Sequence, residues 1–157
     1  MKQEWMVIMD NLWTEFNKQI PIFFKSIIDE FQLKVIEITE IETALIGSNY
    51  AILISIDRFY AEVDYVNRNS ANELKKYRCS SFFAEKYDEK DRVNLLEEHG
   101  AKEMIANDLT VIRRGLLSKW KGILEGNVDW LETYKKSSWA SESYLHDFET
   151  EKLNHYI

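Results

Sequence analysis

The stretch LKVIEITEIETALIGSNYAILISIDRFYAEVDYVNR, residues 33–68, decides the fold. From Leu33 onward apolar residues recur at every second position, the period of a strand whose side chains alternate between two faces. Val35-Ile36-Glu37-Ile38 passes into Ile41, Thr43 and Leu45 with a change of parity, which predicts a bulge or turn near Thr39-Glu40. Gly47-Ser48-Asn49 is a hairpin signal, residues 50–56 make a mostly apolar strand, and Asp57-Arg58 marks a further turn. Across 60–66, Ala61, Val63 and Tyr65 face one way while Tyr60, Glu62 and Asp64 face the other. Connections this short require antiparallel pairing, because a parallel crossover needs about a dozen residues or more. The expected unit is a three- to four-stranded antiparallel meander.

The flanks carry the period of a helix instead. Trp5, Met9, Leu12, Trp13, Phe16 and Ile20 recur at steps of three and four and form one apolar stripe. Pro21 then kinks that helix or opens a second one, which continues through Phe24, Ile27, Ile28 and Phe31. Beyond the meander, residues 67–90 are polar; Ser70 with Glu73 predicts a capped short helix, and Phe82-Phe83 an anchor for a solvated loop. A helix is expected over 89–98, closed at His99-Gly100. The longest stripe follows, through Ile105, Leu109, Ile112, Leu116, Trp120 and Ile123, and Gly126-Asn127 breaks it. Val128 starts another helix with Trp130, Leu131 and Tyr134, and the tail 139–157 is amphipathic through Trp139, Tyr144, Leu145, Phe148 and Leu153. Helix, meander, then helices is an α+β order, with the helices expected on one face of the sheet. Residues 1–157 are read as a single domain.

Composition narrows the function classes. Hydrophobic residues make up 45% of the chain and aromatics 13%, which excludes a disordered segment without a core. One proline and five glycines leave no room for a linker. The net charge of −7 falls mostly in residues 1–69 and argues against phosphate backbones and anionic membranes, but in favour of basic partners. Cys79 is the only cysteine, so no disulfide framework forms within the chain and a reducing compartment is expected. Lys2, Glu4 and Asp10 interrupt the apolar residues at the N-terminus, unlike a signal peptide, and no apolar run is long enough to span a bilayer. The reading is a cytoplasmic protein that binds neither nucleic acid nor membrane.

Several side-chain groups bear on chemistry. The row Glu37, Glu40, Glu42, Glu62 and Asp64 puts carboxylates opposite the isoleucines, a surface suited to a basic cleft such as that of a nuclease. Antiparallel sheets also carry such a face simply because it is solvated. Glu62 and Asp64 stand two residues apart, about 7 Å by strand rise, a spacing compatible with an acid–base pair or a metal. His146 with Glu149, and Glu151 with His155, have helical spacings for metal ligands, although no second matching helix accompanies them. Cys79, beside Arg78, would be reactive only if its environment lowered the thiol pKa. Gly115, Ser118 and Gly122 form a strip of small residues on the long helix, flanked by Arg114 and Lys121, where another element can approach closely. No phosphate-cradling glycine loop, G-x-S-x-G elbow, H-E-x-x-H or C-x-x-C is present in the sequence.

The run from Ile112 to Tyr134, with Trp120-Lys121-Gly122-Ile123-Leu124-Glu125-Gly126-Asn127 and Trp130-Leu131-Glu132-Thr133-Tyr134, resembles the end of small bacterial proteins that include the immunity partners of polymorphic toxins. That resemblance implies inhibition by occluding a partner's surface and carries over no catalytic residue. The leading expectation is therefore a protein-binding domain that masks a basic toxin or nuclease through Glu37, Glu42, Glu62 and Asp64, without a cofactor. Two alternatives stand beside it. One is a small hydrolase or metal-dependent enzyme using Glu62 and Asp64 or the tail histidines, and the other is a structural or regulatory subunit docking through the long helix.

Overall fold

A computed structural model describes residues 2–157, with side-chain surroundings from residue 11 onward. The stripe positions Trp5 and Met9 thus lie outside the described side chains. Six strands form one antiparallel sheet in chain order: β1 (Lys34–Thr39), β2 (Glu42–Ile46), β3 (Ala51–Asp57), β4 (Tyr60–Arg68), β5 (Leu74–Arg78) and β6 (Glu142–Tyr144). The described helices are α1 (Lys2–Phe23), α2 (Lys25–Phe31), α3 (Ser80–Ala84), α4 (Ala101–Ser118), α5 (Lys121–Leu124), α6 (Trp130–Lys136) and α7 (Asp147–Leu153). The chain is α+β, as its pattern predicts, but the sheet has six strands rather than three or four.

The two added strands come from regions where side-chain chemistry overrides local pattern. Ser70 and Glu73 do not cap a helix. Instead, the Asn69 carboxamide oxygen accepts the N–H groups of Ala71 and Glu73 at 3.0 and 2.9 Å, and Asn72 takes the left-handed region at φ 62°. This asparagine-built turn returns the chain as β5. The tail is not one amphipathic helix either: residues 142–144 pair with β5 first, and α7 follows. Tyr134 organises that return, its hydroxyl donating to the Arg78 carbonyl and accepting from the Ser141 N–H, both at 2.8 Å.

No helix forms over 89–98. The Asp88 carboxylate accepts the Lys90 N–H, Arg114 donates to the carbonyls of Asp91 and Val93, and Asn107 both accepts from the Leu96 N–H and donates to its carbonyl. Backbone groups that a helix would pair internally are satisfied by tertiary partners. The long stripe also divides. α4 ends at Ser118 and a short α5 carries Ile123, with Trp120 at the junction.

The sheet has two cores. On one face Leu45, Ile52, Ile54, Val63 and Tyr65 pack against Phe16, Ile20, Phe24 and Ile27 from the N-terminal helices and Ile105, Leu109 and Leu116 from α4. On the other, Ala44, Ile46, Ala51, Leu53, Val66 and Leu74 pack against Leu153 of α7, flanked by Leu145 and Ile157. Helices on one face only is therefore corrected. Ala51-Ile52-Leu53-Ile54 is apolar on both sides of β3, and Leu53 needs cover as much as Ile54 does. Among the described residues no helix is long and apolar enough to cross a membrane.

Candidate functional site

Strand register sorts the carboxylates. Glu42 pairs with Ser55, and Ser55 with Glu62, while Asp64 lies two residues along β4, so these three share the α7 side of the sheet. Glu37 does not join them. The register slips between Glu37 and Thr39, and Glu37 pairs with Thr43, whose hydroxyl donates to Asn17 of α1 at 2.8 Å. The bulge reverses parity, so Glu37 is an exposed residue on the opposite, α1 side. A single acidic row running from Glu37 to Asp64 is therefore not what the fold presents.

The three that do share a face divide again. Glu42 lies beneath α7, where its Oε1 is out of contact with solvent and has no hydrogen-bond partner. Its neighbour Glu149 is fully buried and accepts from Lys76 at 3.0 and 3.1 Å and from the His146 N–H at 2.9 Å. Burial, then the Glu149 charge, pushes the Glu42 carboxyl up to about 8 despite the opposing Lys76 ammonium, so at neutral pH it donates a hydrogen bond to Glu149. Burial would raise Glu149 too, but the His146 amide, Lys76 and the Glu42 proton hold it below the usual carboxylate range.

Further along β4 the same face holds the half-buried Glu62 and Asp64. A recess of about 240 Å³ is lined by Glu62, Asp64, Arg78, Ser80, Ser81, Trp139 and Ser141. Burial, with Glu62 and Glu149 adding to it, raises the Asp64 carboxyl to about 6 against Lys76 and Arg78. Trp139 is 44% exposed at the rim and donates its indole N–H to Glu85. At the start of β4 a larger recess of about 560 Å³ is shared by Glu62, Ser80, Arg92, Glu98 and Asp108. Asp108 accepts the Ala61 N–H at 3.1 Å, fixing the start of β4 to α4.

Cys79 is buried, its thiol directed to the Tyr77 carbonyl and its pKa driven up by burial, the reverse of an activated thiol. His146 caps α7 and stacks on Phe148 with ring centroids 5.3 Å apart, while His155 is exposed beyond that helix. Among the described residues no three His, Cys, Asp or Glu side chains converge as a metal set. The small-residue strip is filled from within the chain: a Cβ on Gly115 would meet the Tyr87 ring at 2.0 Å, and Ser118 donates to Asp91 at 2.9 Å. Lys119 pairs with Asp88 and Asp91, and Lys121 with Glu30.

Sequence reading missed Lys76, Arg78, Trp139 and the buried role of Glu149. The first two were legible in principle, since Leu74, Lys76 and Arg78 alternate with Lys75 and Tyr77 once β5 is recognised. No family model matches the chain, and no curated protein or solved structure matches it.

Proposed function

We propose that this is a protein-binding domain of the immunity type, which masks a basic partner with the open end of its second sheet face. The observation that carries this reading is the grouping of Glu62 and Asp64 with an exposed tryptophan, Trp139, around one shallow recess. Carboxylates that attract a basic surface and an aromatic residue that anchors it are the chemistry of an interface centre. The net charge of −7 supports the same choice by speeding encounter with a cationic protein. Of the four carboxylates expected at the contact, Glu62 and Asp64 are retained. Glu42 is engaged with Glu149 of α7 and Glu37 belongs to another surface.

The test is capture from host lysate and secreted fraction by intact protein and by a variant carrying Glu62→Gln and Asp64→Asn. A basic protein held by the first and released by the second, with slower association, is the expected result. Equal retention by both would remove the acidic face from the account. A second reading, a small hydrolase, is favoured only by the Asp64 carboxyl at about 6, a value suited to acid–base exchange near neutral pH. Turnover of any substrate that disappears in Asp64→Asn while partner capture persists would move the assignment there.

A further inference from the structure

The contact between α7 and the sheet gathers more carboxyl groups than it can neutralise. Facing Glu42 are Glu149 from α7, Lys76 from β5 and Asp64 from β4, while its strand neighbours Thr39 and Ser55 carry no charge. Glu62 and solvent-exposed Arg78 in turn face Asp64. Lys76 is already held by both oxygens of Glu149. An ionised Glu42 would therefore bring a second carboxylate against a fully buried one, with its own Oε1 cut off from water and unpartnered. Burying an unpaired charge in this way is far more costly than retaining a proton.

We propose that a proton shared between Glu42 and Glu149 latches α7 onto the sheet, so that its loss as the pH rises loosens the C-terminal segment 145–157. The apolar part of this contact is small, resting on Leu153 with Leu145 and Ile157 at its margin, so the polar centre decides how firmly the segment sits. Arg68 adds a tether at the far end, donating to the Ile157 carbonyl at 2.9 Å and to Asn154 at 2.7 Å, but neither contact titrates with Glu42.

Docked, Glu42 keeps its proton up to about pH 8; undocked, it would lose it near the ordinary value of 4.5. Between those limits the undocked state binds fewer protons, so docking weakens as pH rises and levels off above that window. Asp64, raised for the same reason, adds a smaller contribution at lower pH, whereas Glu149 acts in the opposite sense in acid because its docked form is favoured as the carboxylate.

Native-state hydrogen exchange on the full chain from pH 5 to 9, corrected for intrinsic exchange, tests the latch. The reporters are the Thr150 and Asn154 amides of the α7 region, with Ile54 in β3 as the reference. The opening constant at Thr150 and Asn154 is expected to rise up to about tenfold per pH unit across the window and then level off. Ile54 should lose protection less. In Glu42→Gln the amide stays a donor at every pH, so the slope between about pH 6 and 8 should vanish, leaving only the smaller Asp64 contribution below it. Retention of the wild-type slope by that variant, or equal loss at Ile54, would overturn the proposal. A carboxyl carbon NMR titration of the unaltered protein gives an independent reading should the variant fold poorly. Ionisation of Glu42 in the ordinary carboxylate range would also overturn the latch.

Discussion

The two faces of the sheet are held by different physics. The α1/α4 side buries a broad set of side chains, including Phe24, Ile27, Ile54, Tyr65, Leu109 and Leu116, in one continuous apolar core. The α7 side buries a narrower set around Leu53 and Leu153 and encloses Lys76, Glu149 and Glu42 beside it. Apolar burial scales with area and is indifferent to pH, whereas an enclosed charge group is stable only while its proton count and partners are intact. The fold thus joins a face held by apolar area to a face whose stability depends on proton count, and the recess of Glu62, Asp64 and Arg78 lies at the edge of the second.

The largest expected break falls on the charged side. Lys76→Ala leaves the buried Glu149 without its cation and should cost about 3–5 kcal/mol in chemical denaturation at neutral pH. Ile54→Ala on the apolar side should cost roughly 2–5 kcal/mol through a cavity, and that loss should be the same at pH 5 and pH 8. If the Ile54→Ala loss changes with pH as steeply as the stability of the α7 contact, the distinction between the faces fails. The smallest effect belongs to Glu37→Gln. Exposed on the α1 side, away from both the latch and the recess, it should alter stability by no more than about 0.5 kcal/mol and leave partner capture unchanged.

Legibility differed element by element. The turns at Thr39-Glu40, Gly47-Ser48-Asn49 and Asp57-Arg58 were readable because short-range backbone preferences set them, and β1 to β4 follow. β5 and β6 were hidden because one depends on the Asn69 side chain folding back on its own backbone and the other on the Tyr134 hydroxyl, 7 residues before Ser141. The expected helix at 89–98 failed because Arg114 and Asn107, distant in sequence, claim its backbone groups. In the candidate site, Glu42, Glu62 and Asp64 were placed correctly on one face by alternation alone. Glu37 was misplaced because one extra residue in a bulge reverses every parity beyond it.

By itself, the sequence determined an acidic α+β domain with an antiparallel meander, an N-terminal helical layer and a long central helix, since each follows from local periodicity and turn chemistry. Only the tertiary structure decided what each carboxylate faces. The packing of α7 on Leu53 and its neighbours sets Glu42 against Glu149 and pairs Glu149 with Lys76, while half-buried Glu62 and Asp64 line a recess beside Trp139. Exposure and protonation depend on what the rest of the chain lays over a residue, and that information is absent from its immediate neighbours in sequence.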